Sequence, residues 1–70
     1  MPIVVAPIDT LLKVVKVLVD EKTKRHLENL GILVNSEITI ISKNDGNIII
    51  KVKDGRLALN KETAMKIFVA

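Results

Sequence analysis

The chain has 70 residues, of which 49% are hydrophobic, and it carries a formal net charge of +3. This length predicts one domain over residues 1–70, and the absence of cysteine excludes disulfide bonds and thiolate metal sites. Phe68 is the one aromatic residue, so the core must be aliphatic, and the β-branched Val and Ile within it favour a sheet.

The first half of the chain predicts one strand followed by one short helix. Residues 1–10 hold two prolines and predict a lead-in or an edge strand. Residues 10–19 predict the first strand, although their apolar side chains fall in both phases; either both faces are covered or a β-bulge shifts the register. Asp20 is the predicted N-cap of a helix over residues 22–30, and Gly31 supplies the left-handed residue that ends it.

The second half predicts a meander of short antiparallel strands. Asn35 can take the positive φ of a turn, and residues 44–47 and 54–55 predict hairpin turns. Asn60 caps a predicted helical turn over residues 61 to about 66. The remaining strands are predicted over residues 38–41, 48–53, 56–59 and 68–69. About five strands in so short a chain must curl, so we expect a mainly β, small SH3-like barrel with one helix after the first strand and a helical turn before the last.

The inventory of reactive side chains does not predict an enzyme. Ser36 and Ser42 lie in a turn and a strand without the context of a nucleophile, and the three glycines are isolated turn residues that form no phosphate-binding loop. The carboxylates fall mostly at turns and caps, where they have structural roles. We therefore predict no catalytic residue and no cofactor site.

His26 is the only histidine and the weak candidate for a metal ligand. Its neighbours at helical spacing, Lys22 and Leu30, cannot ligate a metal, and Glu28 lies on another helix face. We predict no metal site within one chain. Weak binding of Fe²⁺ or Zn²⁺, with His26 shared between two copies or with a partner, stays open, and so does an ordinary surface histidine.

Basic residues are predicted to gather around the turn at Asp54 and on the helix. They predict a docking patch for an acidic protein surface, although a charged outer face that keeps an edge strand soluble explains them as well. Nucleic acid is not expected, because aromatic platforms for stacking bases are missing. The residues predicted to bind a partner are Lys24, Arg25, His26, Lys51, Lys53, Asp54 and Arg56.

Several aliphatic residues have an ambiguous place in the predicted strands. Exposed, they would form an apolar binding patch; covered by the helices, they would belong to the core. The sequence leaves both alternatives open. These residues are Leu11, Val15, Ile41 and Ile49.

Charges interrupt every apolar run well short of the roughly 18 residues that a membrane span requires. Residues 2–7 are too short for the core of a signal peptide and have no basic residue before them. We therefore expect a cytoplasmic protein that meets a membrane only through a partner.

Three segments resemble the FeoA family, the small cytoplasmic accessory proteins of bacterial ferrous iron transport. Residues 24–32 match the family helix Arg-x-x-Leu-x-x-Leu-Gly-Leu/Ile, and residues 47–55 match its strand Pro/Asn-Ile-x-Ile-x-Val-x-Gly. The tail Arg-Leu-Ala-Leu at residues 56–59, followed by a helix and Ile-Phe-Val, is the usual ending of the family. The likeness covers about residues 10–69, although Val34 and Asn35 replace the family's Pro-Gly turn.

This resemblance implies an SH3-like fold, no catalytic residues, and a partner, FeoB, the membrane transporter with a cytosolic G-protein domain. The expected function is that of a non-enzymatic interaction module that docks on this domain. The fold is also similar to the C-terminal domain of DtxR-type iron-dependent repressors, so a free-standing regulatory or metal-sensing module is the alternative. A small nucleic-acid-binding barrel is a third hypothesis.

Overall fold

The computed structural model describes residues 1–53 and 55–70, and these contain five strands and two short α-helices after an N-terminal 3₁₀ helix, Ile3–Val5. In chain order the elements are β1 (Leu11–Val17), α1 (Glu21–Asn29), β2 (Glu37–Asn44), β3 (Asn47–Val52), β4 (Gly55–Asn60), α2 (Lys61–Ala64) and β5 (Ile67–Val69). This composition confirms the predicted mainly β fold, with a helix after the first strand and a helical turn before the last. Over the same residues, neither α-helix is long and apolar enough to cross a membrane.

All strand pairs are antiparallel, in the order β4-β3-β2-β1-β5. The first half of β1 pairs with β2 and its second half with β5, and the register with β5 shifts between Val14 and Lys16. A second shift lies between Ile40 and Ser42 of β2. Because such irregularities bend strands and increase their twist, the sheet curls into the predicted SH3-like barrel. Of the two alternatives for β1, the bulge is therefore correct.

The core is purely aliphatic and lies inside the curled sheet. Side chains that alternate along the strands supply most of it, as expected for strands with one buried face, while Leu27 and Ile32 contribute from α1 and the residues after it. In the part of the chain that the structure describes, no polar or charged residue is buried. The strand residues of the core are Leu12, Val14, Ile38, Ile40, Ile48, Ile50, Val52, Leu59, Ile67 and Val69.

The N-terminal segment belongs to the core rather than forming a simple lead-in. Ile3 is fully buried in the 3₁₀ helix, and Ala6 is buried just after it. The prediction of an edge strand holds only at the first residues, where Pro2 forms an isolated bridge with Phe68. No periodic pattern marks Ile3 as buried, because the apolar run between Pro2 and Pro7 is too short to show one.

The local signals around α1 are confirmed. Asp20 is the N-cap and accepts a hydrogen bond from the Thr23 backbone N–H at 3.4 Å. Gly31 has φ 97° and the Ile32 N–H donates to the Leu27 carbonyl at 2.9 Å, which is the geometry of a left-handed helix stop. Asn35 takes the predicted positive φ, at 79°.

The cap at Asp20 makes helix α1 sensitive to acid. The Thr23 hydroxyl donates to the Asp20 carboxylate and holds the pKa of that carboxyl below its usual value. Because the folded pKa is lowered, the cap contributes stability above the unfolded value of about 3.9 and loses it as the pH falls through the folded pKa. Asparagine caps a helix without titrating. We therefore expect the thermal unfolding midpoint of Asp20→Asn to fall less below about pH 4 than that of the unchanged protein. Identical acid profiles of the two proteins would contradict this role of Asp20.

Candidate functional site

Three basic residues lie at the end of the β3–β4 hairpin and are called here the basic hairpin: Lys51, Lys53 and Arg56. Lys51 and Arg56 are direct partners in the register of the two strands. Lys53 follows β3 with a φ of 53°, and all three side chains are exposed. The predicted turn residue Asp54 lies outside the described residues.

The three helix residues predicted to bind a partner differ in solvent exposure. Arg25 and His26 are exposed, whereas Lys24 is half-buried, and Leu27 anchors the helix in the core. His26 lies in the last turn of α1. Lys24 and Arg25 lie nearer the middle of the helix. They are farther along the chain than His26 from Gly31, the residue that packs against β3.

Close packing at Gly31 holds the end of α1 against β3. A Cβ atom added at Gly31 would lie 3.0 Å from Cγ1 of Val52, which is closer than ordinary van der Waals contact. Val52 is the residue before Lys53. The chain leaving α1 therefore passes directly beside the basic hairpin, and a side chain at position 31 would push the two apart.

An apolar patch follows from this packing and is called here the apolar corner: Leu30, Leu33 and Val34. Their side chains are 40%, 43% and 52% exposed. Within the run of residues 30–34, Ile32 alone among the aliphatic side chains is buried. Sequence reasoning missed these residues as a binding surface. The available signal was an apolar run too short for an element and placed after a helix stop.

The structure answers the open question on the four ambiguous aliphatic residues. Leu11 and Val15 are 65% and 46% exposed, and Ile41 and Ile49 are half-buried. Val15 and Ile41 stand at the two register shifts, where a residue without a partner turns away from the core. None of the four belongs to the fully buried set, so they add apolar area to the outer face.

A groove of about 620 Å³ lies between the loop that follows α1 and the outer face of β1, β2 and β3. Gly31 and Asn35 line it from the loop, as do Lys51 of β3 and Lys53, the residue after β3. The residues of β1 and β2 that complete its lining include Leu11, Lys13, Glu37 and Thr39. The groove thus adjoins the basic hairpin and is rich in lysine.

The described residues offer no cluster suited to a metal ion: across residues 1–53 and 55–70, no three His, Cys, Asp or Glu side chains are grouped. The site consists of open charged and apolar surface. Such a surface can bind another molecule through charge and burial of aliphatic area.

Comparisons with known proteins agree with this fold. A search of curated protein sequences gave no significant match. The chain is similar to a crystal structure of an iron uptake regulatory protein, FeoA, with a TM-score of 0.88 and 23% sequence identity, over 99% of this chain and 93% of that chain. The model of the FeoA domain matches residues 1–70. This chain therefore belongs to the FeoA family, and that membership supports a role in ferrous iron transport systems.

Proposed function

We propose that this protein is a non-enzymatic accessory module of bacterial ferrous iron uptake that docks, in the cytoplasm, on the cytosolic G-protein domain of FeoB. Membership of the FeoA family supports a role in ferrous iron transport. The observation that carries the docking is the close approach of Gly31, which follows Leu30 of the apolar corner, to Val52, which lies between Lys51 and Lys53 of the basic hairpin. Exposed aliphatic side chains next to exposed cations are the components of a protein interface.

The two parts of this surface have different tasks in the proposed complex. The cations steer the encounter with an acidic surface, while the apolar corner is buried on contact and slows dissociation. A standard interface takes about 800 Å² from each partner, roughly a sixth of the 4499 Å² exposed by this protein. The corner and the hairpin are six residues, fewer than the roughly 20–30 on each side of a standard interface, so the proposed contact is small.

The same residues support a binding role over a catalytic one. In the described part of the chain no polar or charged side chain is buried, so none is shielded from water in the way that general acid–base catalysis exploits. The site presents cations and aliphatic groups, which bind without transforming a ligand.

The alternative of a free-standing metal-sensing module has less support. His26 is exposed in the last turn of α1, and no grouping of three potential ligands occurs over the residues that the structure describes. A weak Fe²⁺ or Zn²⁺ site would need ligands from a second molecule, since the metals require several converging donors.

Titration of the isolated G-protein domain of the transporter with this protein tests the proposal. We expect reversible binding with a dissociation constant in the range of roughly 1–100 μM, weakening as salt is added because the steering charges are screened. Calorimetry measures both the affinity and its salt dependence. Absence of binding at high micromolar concentrations, with both proteins folded, would reject the docking.

A further inference from the structure

We propose that the groove between the α1–β2 loop and β3 binds an extended acidic peptide segment of the docking partner, with carboxylates at every second residue. This inference rests on the proposed function and specifies the chemistry of the contact. The strand register, the spacing of the lysines and the lining of the groove support it.

The register places a row of side chains across four strands. Leu11 pairs with Thr39, Thr39 pairs with Lys51, and Lys51 pairs with Arg56. Two cations thus stand directly opposite each other on β3 and β4. Like charges in that position repel, so the free protein carries a repulsion that a bound carboxylate removes.

The spacing of the lysines fits an extended ligand. Lys51 lies in β3 and Lys53 follows Val52, the last residue of that strand, so their Cα atoms are about 6.7 Å apart. Both line the groove, and the spacing is close to that between side chains on one face of an extended peptide. Lys13 lies on β1, two strands away from β3, or about 10 Å across the sheet. A segment with acidic residues at alternate positions can therefore meet Lys51 and Lys53 together.

Polar and apolar side chains of the groove lining can contact a bound peptide. Asn35 and Thr39 line the same groove and offer hydrogen bonds to a peptide backbone. Leu11, 65% exposed, provides apolar contact at the β1 side.

A substitution at Glu37 is expected to increase the affinity for an acidic peptide, in contrast to the lysine substitutions. It lines the groove and is the register partner of Lys13. Its carboxylate lowers the positive potential that attracts an acidic peptide. Glu37→Gln is therefore expected to tighten peptide binding by about two- to fivefold, the range of an exposed charge interaction.

The experiment uses an eight-residue peptide of alternating Glu and Val with blocked ends, and a second peptide with Gln in place of Glu. Titration into nitrogen-15-labelled protein at low salt is followed by amide shifts. We expect the Glu peptide to shift the amide signals of Thr39, Lys51 and Lys53. The Gln peptide should leave these signals unchanged. The double variant Lys51→Gln, Lys53→Gln should weaken binding about tenfold or more, since two charge-assisted contacts are lost.

Lys66→Gln is the matched control, because Lys66 is exposed, lies outside the groove lining and carries the same charge. We expect it to change the affinity by less than about twofold. An equal loss from Lys66→Gln and from the groove variants would overturn the inference by showing unspecific attraction. Tighter binding of an eight-nucleotide oligothymidine than of the Glu peptide would overturn it too.

Titrating the same variants against the G-protein domain separates the two proposals. If the domain binds and each groove variant changes its affinity in the same direction as it changes peptide affinity, both proposals stand. A domain that binds with no response to the groove variants would overturn the groove inference alone. If the peptide binds as expected and the domain does not, the docking proposal fails and the groove keeps only its affinity for acidic peptides.

Discussion

Replacing Ile3 with alanine is expected to destabilise the domain by about 2–5 kcal/mol, the usual cost of truncating a fully buried isoleucine. Ile3 has no exposed surface and belongs to the central aliphatic cluster. A domain of 70 residues has a total stability of about 4–10 kcal/mol. A single change at this N-terminal position is thus expected to remove a large share of the stability.

Hydrogen bonds fix the segment that carries Ile3. The Lys43 ammonium donates to the carbonyls of Val4 and Ala6, at 3.0 and 2.6 Å, and so ties the 3₁₀ helix to β2. The Met1 amino group donates to the Val69 carbonyl at 3.0 Å, which ties the same segment to β5. The segment has little freedom to close the cavity that alanine would leave.

Val5→Ala is the matched control for Ile3→Ala. Val5 lies in the same 3₁₀ helix but is 65% exposed, so its truncation should change the free energy of unfolding by less than about 0.5 kcal/mol. Urea denaturation followed by circular dichroism measures both variants. Equal destabilisation by the two changes would show that the N-terminal segment does not belong to the core.

The double variant Leu33→Ser, Val34→Ser is expected to weaken docking on the G-protein domain by about ten- to a hundredfold. Each side chain is about half exposed in the free protein. Burying the exposed half on binding contributes about 1 kcal/mol per side chain, and two such contributions correspond to a factor of about 30. The stability of the free protein should change little, because neither residue belongs to the core.

Leu18→Ser provides the comparison for the apolar corner. Leu18 is 50% exposed, similar to Val34, but it follows β1 at the end that pairs with β5. Calorimetric titration should show an affinity close to that of the unchanged protein. If Leu18→Ser weakens docking as much as the double variant does, the apolar corner is not the contact.

Much of the fold was predictable because the deciding signals are local. Gly31 and Asn35 require positive φ values that few other residues adopt without strain. Asp20 and Asn60 cap the following helices through Thr23 and Thr63, as residues of their type commonly do. These positions mark where the elements begin and end, and the alternation of Ile and Val in β3 then fixes its buried face.

Other features depend on contacts between distant parts of the chain. The sequence offers a bulge in β1 as one of two alternatives, and only the pairing of β1 with both β2 and β5 places it at Val15. Ile3 is buried by residues of several strands, so its burial depends on the complete barrel and has no local signal. Helix ends also differed by a few residues, since α2 ends at Ala64 and not near Lys66; fraying last turns carry little sequence signal.

The charged residues of the candidate site were predicted from the sequence, whereas those of the apolar corner were not. Lys51 and Arg56 were expected near each other because the hairpin turn lies between them, and the register confirms it. The apolar corner was missed because its place beside the hairpin depends on the contact of Gly31 with Val52. Binding of a partner by the seven predicted residues stays a prediction.

A map of amide shifts on nitrogen-15-labelled protein, recorded as the unlabelled G-protein domain of the transporter is added, locates the proposed contact residue by residue. We expect changes concentrated at the apolar corner, the basic hairpin and the groove beside them. Few changes are expected at the 3₁₀ helix Ile3–Val5. A spectrum that stays unchanged at high micromolar concentrations of the domain, with both partners folded, would overturn the proposed docking, and so would changes confined to that N-terminal helix.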